Sequence, residues 1–284
     1  MNILVTGAAG FIGFIFLNKY LDTPNLKKKV IGIDNINNYY DIDLKKERIK
    51  ILKKKNFFTF IKIDIKDFRK LNLIIKKYKI DIIIHLAAQA GVRLSINNPK
   101  TYFENNLNGF FNILEVSRIN KIKHLMFAST SSVYGDQKKF PIDENFITDF
   151  PKSFYAATKK SNEIMAYSYS KIYNLPCTAI RFFSVYGPFG RPDMAYFKWT
   201  KKMINGQSLE LFNNGNHYRD FTYIDDVVRF LSKLIKKKSK KFIPYQVFNI
   251  GNSNSVKITR VISILKKLLN IKSIKIKNKN FQKG

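Results

Sequence analysis

Cysteine is nearly missing: Cys177 is the single one in 284 residues, so no internal disulfide framework is available and a reducing cytoplasm is the expected compartment. Histidine is scarce as well. His85, His124 and His217 are too scattered to form a zinc site, so no metal is expected. The longest early apolar run, Gly7 to Leu17, is too short for a bilayer and lacks the basic segment that precedes a signal-peptide core, which argues against a membrane segment. Acidic residues number only 20 against 51 Lys and Arg, a net charge of +31. Such a balance admits binding to nucleic acid or to an anionic membrane. Arginine, however, is what the basic set lacks: 42 lysines stand against 9 arginines, with 11 alanines and abundant Ile, Asn, Phe and Tyr, the set that AT-rich codons favour. Bidentate reading of bases uses arginine. The lysine runs at 27–29, 53–55 and 236–238 fall near the ends of predicted elements, where solvated charge is cheap. The expectation is a solvated basic surface that helps to attract a polyanionic substrate, with no nucleic-acid or membrane partner.

What is present in quantity is apolar: 45% hydrophobic residues give this length a substantial core. The strand-like runs MNILVT, KKVIGID, FTFIKID, DIIIHLA and HLMFAS alternate with amphipathic stretches through residue 120. That alternation predicts βαβ units around a parallel sheet whose strands are covered on both faces. CTAIRFF adds a further strand, after which Gly, Pro and Asn become frequent and the alternation breaks. Segments 224–235 and 246–250 read as a helix and strand returning to the sheet, and 257–269 as a helix. The predicted division is residues 1–180 with 224–250 as one domain, and 181–223 with 251–284 as a smaller lobe.

The first strand runs into GAAGFIG, where Gly7, Gly10 and Gly13 are spaced for a tight turn and for close approach of a pyrophosphate to a helix N-terminus, with Phe11 and Ile12 beside it. The alternative is a plain glycine-rich turn. Strand before and helix after favour the dinucleotide, hence a Rossmann-like doubly wound fold. Asp34 ends the second strand, where a carboxylate accepts from both ribose hydroxyls and repels a 2′-phosphate, so NAD is expected rather than NADP; a cap or turn is the alternative. Asp64 and Ile65 end the third strand near the adenine position, with Asp64 equally readable as a turn residue. Leu86, Ala87 and Ala88 of HLAAQAG offer a flat backbone for the cofactor or close helix packing. Asn105 either bonds near the nicotinamide or caps a local bend. The fifth strand ends in ASTSSVYG, which sets Ser129, Thr130, Ser131 and Ser132 at the carboxyl edge where such sheets bind ligands; turn chemistry alone is the alternative. In SFYAATKK, Tyr155 and Lys159 share one helix face, and a nearby ammonium and the nicotinamide cation both stabilise a phenolate. That makes Tyr155 usable for proton transfer.

With these residues in order, the chain resembles the extended short-chain dehydrogenase/reductases, specifically the nucleotide-sugar 4-epimerases acting on UDP-glucuronate. The resemblance runs through NNYYD, AAQAGVR, STSSVYG, SFYAATKKSNE, RFFSVYGPFGRPDMA and RDFTYIDD. It implies that Tyr155 is the general acid/base, that Lys159 holds the nicotinamide ribose and lowers the tyrosine pKa, and that Thr130 bonds the sugar 4-hydroxyl. It further implies transient oxidation at C4 with a tightly held NAD, rotation of the 4-keto sugar and hydride return, giving UDP-galacturonate for polysaccharide synthesis. A homodimer through paired helices of the first domain, one of them the Tyr155 helix, is also implied. A dehydratase of this family carries Asp-Glu after its active-site threonine; here Ser131 and Ser132 stand there, which weighs against dehydration and leaves them to the substrate. Arg191 in GPFGRPDMA is the expected partner of the C6 carboxylate, with a surface salt bridge as the alternative. Arg219 is placed by resemblance at the nucleotide's diphosphate or ribose; pairing with Asp220, Asp225 or Asp226 stays open.

Two departures from the family pattern stand out. Ser184 occupies a substrate-side position where these epimerases often carry Thr. The chain stops at KNFQKG, where the family runs through a Met-Gln-Pro-Gly-Asp-like stretch and continues, so a C-terminally truncated substrate lobe is expected. The alternatives are therefore a UDP-hexose 4-epimerase or, from another class, a truncated, inactive NAD- or nucleotide-binding protein.

Overall fold

The structure, a computed structural model, describes residues 1–24, 26–137 and 139–280, so that Phe281 to Gly284 of the terminal KNFQKG lie outside the described residues. Strands β1 (Asn2–Thr6), β2 (Val30–Asp34), β3 (Phe58–Lys62), β4 (Ile80–His85) and β5 (His124–Thr130) alternate with helices. The helices are α1 (Phe11–Tyr20), α2 (Ile42–Lys53), α3 (Phe68–Lys77), then α4 (Val92–Asn97), α5 (Pro99–Tyr102) and α6 (Gly109–Ile119). Helix α7 (Phe154–Tyr173) leads to β6 (Cys177–Phe182) and β7 (Ser184–Tyr186). The remainder runs α8 (Ala195–Ile204), β8 (Leu209–Phe212), β9 (Tyr218–Tyr223), α9 (Ile224–Leu234), β10 (Tyr245–Ile250), β11 (Ser255–Lys257), α10 (Ile258–Leu268) and β12 (Ile276–Lys279).

The main sheet is parallel, in the order β3-β2-β1-β4-β5-β6-β10. Chain order reverses between β1 and β4, which opens a crevice at the carboxyl ends of the strands. The period of two explains why these strands are apolar throughout. Ile3 and Val5 of β1 and Ile82 and Ile84 of β4 join Phe14, Leu17, Val227 and Leu231 on the α1/α9 side, whereas Leu4 and Ile83 join Leu71, Ile75, Ile113 and Ala166 on the other. Helix α9 and strand β10 thus return to the sheet as the sequence predicts, and β6 runs on to Phe182, past residue 180. Two small sheets, β11-β9-β7 and β12-β8, stand apart from it, the second beside a minor core of Met203, Leu209, Leu211, Ile258 and Ile262. Among the described residues no helix is long and apolar enough to cross a membrane.

The sequence reads a single helix around Asn105, but residues Phe103–Asn108 form a π-helical turn ahead of α6. The wider turn directs Asn106 inward. Its Oδ1 accepts from Gln89 N at 2.8 Å, and its Nδ2 donates to Gln89 O and to Thr158 Oγ1, both at 3.1 Å. Periodicity of apolar residues carries no signal for such a turn, because its cause is this long-range polar pairing.

Candidate active site

At the crevice, one cavity is lined by the glycine-rich turn, the ends of β2, β4 and β5, the start of α7 and the segment following β7. Gly7 has φ +72°, and a Cβ there would stand 2.7 Å from Ala87 N; at Gly13 it would stand 2.2 Å from Gly7 O. Only glycine permits this closeness. Gly10 caps α1 without a side-chain bond, so the first N–H groups of the helix remain free to face an anion. Phe11, Ile12, Leu86, Ala87, Ala88 and Asn105 line the same cavity. Asn105 donates Nδ2 to Thr101 O at 2.8 Å. Ala87 N donates to Thr6 Oγ1 at 3.1 Å, and Thr6 in turn pairs with His85 Nδ1 at 2.8 Å. Burial, aided by the charge of Lys159, holds His85 well below its ordinary pKa, hence neutral.

Asp34 accepts from Ala9 N at 3.1 Å and Ile36 N at 2.8 Å. Burial raises its pKa, opposed by those bonds and by Lys45 and Arg48. Lys45, from α2, was not found by the sequence reading: it is 5% exposed, lines the cavity, and donates Nζ to Asn37 O and Oδ1, both at 2.7 Å. Ile65 lines the cavity too. Asp64 does not; it accepts from Lys66 N at 2.9 Å as a turn residue and from Asn35 Nδ2 at 3.0 Å, which braces a lining residue.

On the other side stand Thr130 from β5 and Tyr155 and Lys159 from α7, whose N-cap Ser153 accepts from Ala156 N at 3.1 Å. Burial raises the Tyr155 pKa, while Arg191 and a hydrogen bond with Thr130 lower it. Lys159 is 1% exposed and its Nζ has no hydrogen-bond partner among the described residues. Burial lowers its pKa to about 8 against the opposing charge of Glu163. Glu163 is itself paired with Arg181 at 2.8 Å and accepts from Ser129 Oγ at 2.5 Å.

Arg191 also lines the cavity, with Nε and one terminal nitrogen on Asp193 at 3.0 and 2.6 Å. Tyr39 donates to the same carboxylate at 3.1 Å, and its ring lies 5.7 Å from the guanidinium. Against the burial that would raise it, the Arg191 pair holds the Asp193 carboxyl below its usual pKa. Ser131, Ser132, Ser184 and Arg219 are not part of the lining, although Ser132 N donates to Thr130 Oγ1 at 3.2 Å. None of the pairings left open for Arg219 forms: it donates to Tyr218 O, while Asp225 pairs with Lys19, Asp226 with Arg229, and Asp220 accepts from Asn252 N. Tyr39, Tyr40, Gln89 and Met194 line the cavity without having been singled out. The NNYYD stretch was the one signal for the tyrosines.

The cradle and the orphaned Lys159 ammonium fit a dinucleotide: the glycines leave room for its phosphates, and the lysine needs an acceptor that a ribose supplies. Comparison with known proteins agrees. The family described as "NAD dependent epimerase/dehydratase family" matches residues 3–251. Protein CapI of Staphylococcus aureus is 45% identical over 283 residues, covering 95% of this chain and 84% of its own length. A UDP-glucuronate 4-epimerase of Thermodesulfobacterium geofontis is 41% identical over 282 residues, covering 99% of this chain and 84% of the relative. Among solved structures, UDP-glucuronic acid 4-epimerase from Bacillus cereus, in complex with UDP-glucuronic acid and NAD, superposes with a TM-score of 0.92 at 36% identity, over 100% of this chain and 88% of that one. On sequence, sheet order and site alike, the chain belongs to the NAD dependent epimerase/dehydratase family.

Proposed function

We propose that this chain interconverts UDP-glucuronate and UDP-galacturonate at C4. NAD is held in the glycine-lined half of the cavity by Asp34, Lys159 and the α1 N-terminus, and the sugar lies towards Thr130, Tyr155 and Arg191. The observation that carries the reading is the convergence on one cavity of a tyrosine–lysine pair, a threonine hydroxyl and a guanidinium, opposite a dinucleotide cradle. NAD, when bound, supplies a reversible hydride acceptor. Tyr155 takes the C4 hydroxyl proton and later returns it; burial alone would keep the phenol protonated, and Arg191 and Thr130 act against that. Thr130 orients the hydroxyl, and Arg191 binds the C6 carboxylate through charge-assisted bonds. Ser131, Ser132, Ser184 and Arg219 are assigned to the rest of the nucleotide-sugar, the last two from β7 and β9 of the small sheet.

One observation favours a second reading, a neutral UDP-hexose as substrate: Asp193 already occupies two nitrogens of Arg191. NMR of UDP-glucuronate incubated with the purified chain and NAD separates the two. The C4 epimer is the expected product. A decarboxylated pentose or no product, with UDP-glucose epimerised instead, overturns the uronate reading.

A homodimer belongs to the same proposal. Phe103, Phe111, Phe154 and Ile164 expose large apolar side chains around α6 and α7, a face that a second copy would cover. The cytoplasm is proposed on the single, buried cysteine. Sedimentation in dilute solution tests the first, and fractionation of the native cell the second.

A further inference from the structure

We propose that Arg48 is a positioning residue that ties the dinucleotide-binding turn to the loop carrying Arg191, so that cofactor retention and sugar recognition depend on one buried guanidinium. The proposal rests on the reading above only in supposing that the Arg191 loop meets the sugar. Arg48 lies on α2 with 0% exposure, among the largest fully buried side chains. One terminal nitrogen donates to Ala9 O and to Tyr40 Oη, both at 2.7 Å. The other donates to Phe189 O at 2.6 Å and Gly190 O at 3.3 Å. Ala9 sits between Gly7 and Gly10 and its own N–H bonds Asp34, while Gly190 directly precedes Arg191. The two ends of one planar fork therefore hold the two halves of the cavity.

Neighbouring contacts follow the same line. The ring of Tyr40 lies 4.3 Å from Lys45 Nζ and 5.5 Å from the Arg48 guanidinium, and Phe14 of α1 meets Phe189 edge-on at 5.0 Å between centroids. The acceptors of Arg48 are neutral oxygens, and its Nε has no hydrogen-bond partner among the described residues. A buried cation without an acidic partner gains little net stability, because the cost of its own desolvation opposes the bonds it makes. It is a good way to fix two loops, because charged donors hold carbonyls strongly and a rigid fork fixes their spacing.

The test uses the NAD-loaded protein with two readouts, KM for UDP-glucuronate and NAD retained through gel filtration. Arg48→Met is expected to raise KM about tenfold, the loss of roughly one strong hydrogen bond, and also to release NAD that the parent retains. Arg48→Lys keeps the charge but not the fork, and is expected to lose at least one of the two properties. A lowered melting temperature with KM and NAD retention both at the parent's level, in Arg48→Met or, should it not fold, in Arg48→Lys, overturns the proposal; so does a defect in Arg48→Met confined to one readout. Arg191→Ala serves as the separate control: unchanged KM there, beside both defects in Arg48→Met, sinks the carboxylate reading and leaves the coupling standing.

Discussion

Lys159 stands one helical turn beyond Tyr155 on α7, with its ammonium buried and bonded to nothing among the described residues. Its pKa is lowered to about 8 by burial, with Glu163 opposing, against about 10.4 in an unfolded chain. Between those values the unfolded state binds more protons, so stability should rise with pH through this window, and below it the buried charge is a standing cost. Lys159→Met is therefore expected to stabilise the NAD-free protein at pH 7, by at most about 3 kcal/mol. The gain should shrink as pH approaches 10. Thermal melts across pH check this, and equal melting at pH 7 would refute it. The same substitution should abolish epimerisation if the ammonium holds the cofactor as proposed.

Tyr155→Phe removes the proposed proton carrier and little else. The ring remains to pack edge-on against Tyr102, 6.1 Å away, and its Thr130 partner lines the same cavity. The turnover rate should fall about a hundred- to ten-thousandfold, with melting temperature and NAD retention unchanged. Loss of retained NAD would mean that the phenol serves binding rather than chemistry.

The glycine turn makes a sharper structural claim. A methyl at Gly13 would stand 2.2 Å from Gly7 O, inside rigid backbone, whereas at Gly206 nothing lies within 4 Å. Gly13→Ala should cost about 1–3 kcal/mol through forced backbone shifts and release NAD. At Gly206, with φ +64°, alanine bears only backbone strain, about 1–2 kcal/mol, and NAD binding should survive. Denaturant melts with and without NAD compare the two; NAD loss in Gly206→Ala alone would reverse the assignment.

Legibility in the sequence followed the range of the interactions involved. The parallel sheet and returning α9 and β10 were readable because burial on both faces leaves continuous apolar runs, and the Gly7 to Gly13 turn because backbone closeness excludes every other residue. Tyr155 and Lys159 were readable together because a helix turn brings them onto one face. Lys45, Arg48 and Tyr39 were not. Their roles come from contacts with segments distant in sequence, such as Arg48 with Gly190 across 142 positions, and a lysine or arginine in a basic helix reads as solvent-facing. The Arg191 and Asp193 pair was hidden differently: both residues were visible in GPFGRPDMA, but their spacing alone does not say that they bond each other rather than solvent or substrate.

That pair yields a test of substrate choice. Asp193 holds two nitrogens of Arg191 at 3.0 and 2.6 Å, and Tyr39 donates to Oδ2, the oxygen that also accepts from the Arg191 terminal nitrogen. A substrate carboxylate arriving at Arg191 must share a guanidinium already neutralised by Asp193. Arg191→Ala should raise KM for UDP-glucuronate about tenfold to a hundredfold, the worth of a charge-assisted bond, and leave UDP-glucose little changed. Asp193→Asn keeps the side chain's shape and its bond with Tyr39 while removing the competing charge, so KM for UDP-glucuronate should fall. Initial rates with both sugars for the parent and both variants decide it. A rise in KM for UDP-glucuronate with Asp193→Asn would mean that the carboxylate orients Arg191 for the substrate rather than competing with it. Unchanged discrimination in Arg191→Ala would move the recognition of the sugar's C6 group to other residues.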